Sequence, residues 1–207
     1  MTIRHSSWKA PTVIAVGAVS GGGKTTIASQ LGTRIPQARV VYFDDYDFAG
    51  PHDFVDWVDR GADYDEWDLA PLVKDLQRLL AEPLRYIVLD YPFAYAQGQV
   101  KEYIDLAIYV DTPLDVALAR RLMRDFKNGP IDDVLRDVKH YAERGRRAYL
   151  EAVGTVRPLS DILVDGTLPA ETIVDIIVQQ LARLPSRAGD KANGGLGPVR
   201  EGHPRSS

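Results

Sequence analysis

The chain has 207 residues, 45% hydrophobic and 26% charged, enough for one domain with a sizeable core and a little to spare. A formal net charge of −4 gives no broad basic field, which argues against nucleic-acid or membrane-surface partners. With no cysteine, disulfides, thiolate metal sites and cysteine nucleophiles are excluded. No segment reaches the roughly 18 apolar residues of a membrane span, and the polar start MTIRHSSWKAPT holds no signal-peptide core, so a soluble, cytoplasmic protein is expected.

Residues 1–10 are expected to be a flexible N-terminus. TVIAVGAV (12–19) is a β-branched apolar run that stops at glycines, as a buried parallel strand does. KTTIASQLGTRI then has helical spacing, with Ile27, Leu31 and Ile35 on one stripe. ARVVYFDDYDF (38–48) reads as a second strand ending in acids and aromatics, and 49–68 as an irregular loop with a helical turn. A helix over 69–82 is followed by a strand at 85–93 that Pro92 breaks, a strand at 103–113 and a helix at 114–126. A long helix over 131–153, a short strand at 161–166 and an amphipathic helix at 169–184 complete the order. Alternating strands and helices predict a parallel sheet with helices on both faces. The Gly-, Pro-, Ser- and Arg-rich residues 185–207 should be a disordered tail, leaving 11–184 as the folded domain.

The junction of the first strand and helix, AVGAVSGGGKTTIA, has the parts of a phosphate cradle. Ser20 and Gly21, Gly22 and Gly23 offer backbone N–H groups at a helix N-terminus, Lys24 neutralises phosphate charge, and Thr25, followed by Thr26, supplies a hydroxyl for Mg²⁺. Ala18 stands where the usual pattern opens with glycine. A chance glycine-rich turn is the competing reading, and the flanking strand and helix tell against it. A nucleoside triphosphate site is therefore expected.

Phosphoryl transfer also needs a second carboxylate for the metal and a group for the acceptor, both at the carboxyl ends of neighbouring strands. VVYFDD delivers Asp44 and Asp45, and YIVLD delivers Asp90, which could face a metal or could serve a turn before Pro92. The DDYDF cluster is either functional or an acidic surface loop. Arg121 and Arg124 lie three apart on one helix face, either clamping a phosphate or lining a solvated surface. Residues 42–68 hold nine aspartates and one glutamate against Arg60, a balance that disfavours an anionic acceptor.

With these pieces in order, the chain resembles the phosphoribulokinase/uridine kinase family of P-loop kinases from about Pro11 to Leu184. GGGKTT is similar to its nucleotide loop, YFDDYDF to its Q-D-S-F-Y segment, ADYDEWD to F-D-H-P, and YIVLDYPF to the V-L-F-E-G-I strand. YVDTPLDVALARRLMRD resembles V-D-T-D-x-D-x-R-L-x-R-R-x-x-R-D almost position by position. The resemblance implies a three-layer P-loop NTPase fold with a short lid, ATP and Mg²⁺ as cofactors, and transfer of the γ-phosphate to a hydroxyl of a small nucleoside-like or other polyhydroxyl molecule. It implies Asp44 as catalytic base, Thr25 and Asp90 on the metal, and Arg121 and Arg124 as lid arginines. Asp45, Tyr46, Tyr64 and Asp65 are implied to face the acceptor. Two departures concern the acceptor. Only AEPLR separates Leu80 from Tyr86, so the family's base-contacting hairpin is absent, and FKNGP replaces E-R-G-R after the lid aspartate, removing an arginine. A nucleoside monophosphate kinase and a regulatory ATPase without a small-molecule acceptor stay open as alternatives, and a homo-oligomer is compatible with the sequence.

Overall fold

The computed structural model describes residues 10–183; the expectations for residues 1–9 and for 184–207, including the tail, lie outside them. Five parallel strands form one sheet: β1 (Thr12–Gly17), β2 (Ala38–Tyr42), β3 (Tyr86–Asp90), β4 (Leu106–Asp111) and β5 (Ile162–Asp165), in the order β2-β3-β1-β4-β5. β1 is buried along almost its whole length, because helices cover both sheet faces and every side chain of a central strand must be apolar.

On one face, α1 (Lys24–Arg34) and α9 (Ala170–Arg183) pack Ile27, Leu31, Ile173 and Ile177 against Ile14, Val16, Ile108 and Val164. The other face is covered mainly by α2 (Phe54–Asp59), α3 (Ala70–Leu80) and α4 (Gly98–Lys101). In α3 the buried Leu72, Leu76 and Leu79 recur at helical spacing, and a proline in the first turn suits its start. α5 (Leu114–Asp125) leads to α6 (Ile131–His140), α7 (Arg146–Glu151) and α8 (Arg157–Leu159), joined by π-helical turns at Tyr141–Gly145 and Ala152–Val156. Among the described residues no helix is long and apolar enough to cross a membrane.

The three-layer arrangement is the expected one, and four local readings change. The second strand ends at Tyr42, where Phe43–Asp45 turn into a 3-10 helix, instead of running to Phe48. The loop before α3 contains the regular helix α2, capped by Asp53, and a 3-10 turn at Tyr64–Glu66. The helical run after 131 reaches Leu159 through its two π turns. The four-residue α4 was not anticipated, since GQVK is too short for a periodic signal.

Strand register sets the site. Asp90 is level with Val16 on one side and Tyr42 on the other. The turn after β1 and the turn after β2 are thereby brought to one edge of the sheet. β1 and β3 are neighbours whose onward connections leave toward opposite ends of the sheet, the crevice where open α/β sheets bind ligands.

Candidate active site

The cradle is built by close backbone packing. Gly21 (φ +79°) and Gly23 (φ +102°) are in the left-handed region that glycine tolerates best. A Cβ on Gly21 would collide with the carbonyl oxygen of Ala117, because α5 lies directly on the loop. A Cβ on Gly22 would stand 2.7 Å from the Ala18 methyl and 2.8 Å from the Val19 carbonyl oxygen. Ala18 is buried, so the departure from the usual pattern is accommodated by packing that methyl against a glycine. Thr112 at the end of β4 donates its hydroxyl to the Gly22 carbonyl at 2.8 Å and ties the loop to the sheet.

Asp90, 1% exposed, accepts the Thr25 hydroxyl at 2.7 Å. Its other carboxylate oxygen lies 3.0 Å from Lys24 Nζ, close enough for an ion pair but outside hydrogen-bond geometry, so both atoms are buried with directed bonding capacity unused. Asp44 Oδ2 is 3.5 Å from the same ammonium, and the Asp44 side chain is 77% exposed. Lys24, Thr25, Asp44 and Asp90 therefore share one locus. The pairing of a hydroxyl and a carboxylate fits a hard, oxygen-binding cation, and the glycine cradle fits phosphate.

This locus lies in a cavity of about 1000 Å³. All of Ser20–Thr26 line it, with Arg120 and Arg124 toward α5. Beyond Asp44 the wall is aromatic, formed by Phe43, Phe54, Trp57, Tyr64, Trp67 and Phe93. Trp57 meets Tyr64 and Trp67 edge-on, with centroids 5.0 Å apart in each pair, and Phe54 stacks on Trp67 at 5.9 Å. Burial pushes the Tyr64 phenol far above its ordinary range, so it stays neutral.

The expected site residues divide by position. Lys24, Thr25, Asp44, Tyr64 and Arg124 line the cavity, and Asp90 lies under its floor in contact with Lys24 and Thr25. Tyr46 turns toward α3 instead, donating to Asp75 at 2.8 Å, and burial together with that bond raises its phenol. Asp65 accepts the Gly98 N–H at 2.6 Å, and Asp45 is exposed outside the cavity lining. Arg124 pairs with Asp125 at 2.7 Å, and Arg121 pairs with Asp137 on α6. Arg121 does not line the main cavity, whereas its neighbour Arg120 does, while donating to the Gly166 carbonyl at 2.9 Å.

Most acids between 42 and 68 serve the local fold. Asp53, Asp63 and Asp68 accept backbone N–H groups at turns and helix starts. Arg60 is gripped by Asp56 and Glu66, while Asp53 and Asp59 pair with Arg144 and Arg147. The acid count is thus largely independent of the acceptor, with Asp44 the member of the group that lines the cavity.

Apart from Tyr64, sequence reasoning missed the aromatic wall, and it missed Arg120 and Tyr149, which line the same cavity. It also missed how the wall is held: buried Gln97 starts α4 and donates to the Trp67 carbonyl at 3.3 Å, and Gln99 accepts the Leu69 N–H at 2.7 Å. In PHDFVDWV the pairs Phe54/Trp57 and Val55/Val58, each three residues apart, were the available helical signal for Phe54, Val55 and Trp57.

Fold and site together define a P-loop phosphotransferase. The sequence profile of the phosphoribulokinase/uridine kinase family matches residues 59–154. A uridine kinase of Oceanobacillus iheyensis is 25% identical over 206 aligned positions, covering 86% of this chain and 97% of that protein. One from Clostridium tetani is 22% identical, covering 87% and 99%. Among solved structures, a sugar kinase from Janibacter sp. HTCC2649 superposes with a TM-score of 0.51 at 17% identity, covering 87% of this chain and 99% of that one, a likeness of fold. The chain resembles the phosphoribulokinase/uridine kinase family and is an ATP-dependent phosphotransferase acting on a hydroxyl.

Proposed function

We propose that the protein transfers the γ-phosphate of ATP to a hydroxyl of a small nucleoside-like or other polyhydroxyl molecule, with Asp44 as general base. The observation that carries this reading is the meeting of Lys24, Asp44, Asp90 and Thr25 at one end of an aromatic-walled cavity. The loop N–H groups and Lys24 hold the phosphates. Thr25 and Asp90 would hold Mg²⁺, which supplies charge neutralisation on the phosphates when bound. Asp44, exposed to the cavity and beside Lys24, accepts the acceptor's proton. Arg124 and Arg121 stabilise charge on the phosphoryl group during transfer. Tyr64 and its aromatic neighbours pack against the acceptor, positioning its hydroxyl near Asp44.

The occupied cations around the aromatic lobe argue against a monophosphate acceptor, because Arg60, Arg144 and Arg147 are each spent on carboxylates. A coupled ADP-release screen over nucleosides, nicotinamide riboside, pantothenate, sugars and aminoglycosides tests the proposal. One acceptor should accelerate release and be recovered phosphorylated. ATP turnover indifferent to every acceptor would favour the regulatory ATPase instead.

A further inference from the structure

Helix α6 buries none of its ten residues. Ile131 and Leu135 along it are 67% and 59% exposed, so no apolar core anchors the helix to the body. Its polar anchor is Asp137, whose carboxylate accepts both terminal nitrogens of Arg121, one at 3.1 Å and the other closer. The two side chains are only 22% and 16% exposed, a more sheltered pair than the ordinary surface ion pair.

Arg121 starts at the phosphate loop and points away from it. Its Cβ lies 3.0 Å from where a Cβ on Gly21 would stand. The side chain nevertheless lines a second cavity of about 520 Å³ with Asp125, Asp137, His140 and Tyr141, not the cavity that holds Lys24. The two cavities share Ser20, Phe54, Ala148 and Tyr149, so they are adjoining spaces. Arg121 Nε is buried without a hydrogen-bond partner, a donor left over by the carboxylate that holds the other end of the guanidinium. A phosphate offers more acceptor oxygens in the same planar fork.

We propose that Asp137 is a positioning residue that holds Arg121 away from the phosphates in the nucleotide-free protein and yields it when the triphosphate arrives. The inference rests on the reading of Arg121 as a phosphate-stabilising cation. Carboxylate and triphosphate compete for one guanidinium, so ATP binds more weakly than it would without Asp137. Giving up the pair also releases α6, which links occupancy of the cradle to the freedom of that helix.

The test compares the wild type with Asp137→Asn, Asp137→Glu, Arg121→Ala and the Arg121→Ala/Asp137→Asn double variant. A non-hydrolysable ATP analogue with Mg²⁺ is titrated calorimetrically, and amide hydrogen exchange is followed over 131–140. Asp137→Asn is expected to tighten binding by roughly three- to tenfold, Asp137→Glu to keep wild-type affinity, and the Asn effect to vanish in the Arg121→Ala background. The analogue should speed exchange in α6 of the wild type, while in Asp137→Asn exchange is fast from the start. Unchanged or weaker binding by Asp137→Asn, or a gain that persists without Arg121, overturns the proposal and makes Asp137 a simple staple. If Arg121→Ala leaves analogue affinity and acceptor-dependent turnover intact, the assignment of Arg121 itself falls, an outcome distinct from the first.

Discussion

Asp90→Ala puts the centre of the site to a stability test that needs no knowledge of the acceptor. The carboxylate is 1% exposed and lies 3.0 Å from an ammonium whose side chain is 14% exposed. Deleting one member of such a pair strands the other and costs about 3–5 kcal/mol. Asp44, 3.5 Å from the same ammonium but 77% exposed, returns a part of that through water-screened attraction. The expected net loss is therefore about 2–4 kcal/mol, a fall in melting temperature of roughly 5–15 °C for a domain of this size. Circular dichroism melts and urea titrations, run without nucleotide or divalent metal, read it directly. The Lys24→Met/Asp90→Ala double variant should recover much of the loss, because it removes the stranded charge along with its partner, with a coupling of about 1 kcal/mol or more. An Asp90→Ala protein melting within 2 °C of wild type, or a double variant whose losses simply add, would refute this account of the pair.

Three further predictions follow from particular contacts. Asp44→Asn should cut acceptor-dependent transfer by roughly 100-fold or more, with little change in melting temperature because the side chain is exposed; single-turnover assays showing near-normal transfer would remove Asp44 as the base. Gly22→Ala should weaken ATP binding by about tenfold or more because its methyl meets Ala18 at 2.7 Å, whereas Ala18→Gly removes only that neighbour and should stay within about threefold in calorimetric titration. Asp53 is held below its ordinary value of 3.8, first by the Asp56 N–H and then by the Val55 N–H, with Arg144 adding to them. A value lowered on folding stabilises above 3.8 and is lost as pH falls through the folded value. Asp53→Ala should accordingly lower the melting temperature at neutral pH by an amount that shrinks in acid; a difference independent of pH would count against the cap.

The layers of the fold were legible because the strands are continuous apolar runs and the helices carry regular stripes. Both signals depend on burial against the sheet, as in TVIAVG and in the Leu72–Leu76–Leu79 series. The proposed catalytic end could be placed for a related reason: Asp90 closes β3, Asp44 lies just past the end of β2, and Lys24 opens the helix that follows β1. What the chain order hid was the direction of side chains after those ends. Tyr46 lies two residues from Asp44, yet Asp75 on α3 draws it away from the cavity. Asp65 follows Tyr64, yet the 3-10 turn sends one to the Gly98 N–H and the other into the aromatic wall.

The acidic segment shows the physical limit of reading an acceptor from composition. A carboxylate counts toward a substrate only if the fold leaves it without other work, and sequence cannot display the helix starts and arginines that employ it. Here Asp53, Asp56, Asp59, Asp63, Asp68 and Glu66 hold the segment together, either through backbone N–H groups or through Arg60, Arg144 and Arg147. The same bonds spend those arginines, so the lobe beyond Asp44 presents aromatic rings with neither a concentration of acid nor a spare cation from these three. Under the proposed function, discrimination there comes from shape and ring contacts more than from charge. Removing the Arg60 grip should then loosen the wall without creating an acidic site, which separates a structural ion network from a recognition one.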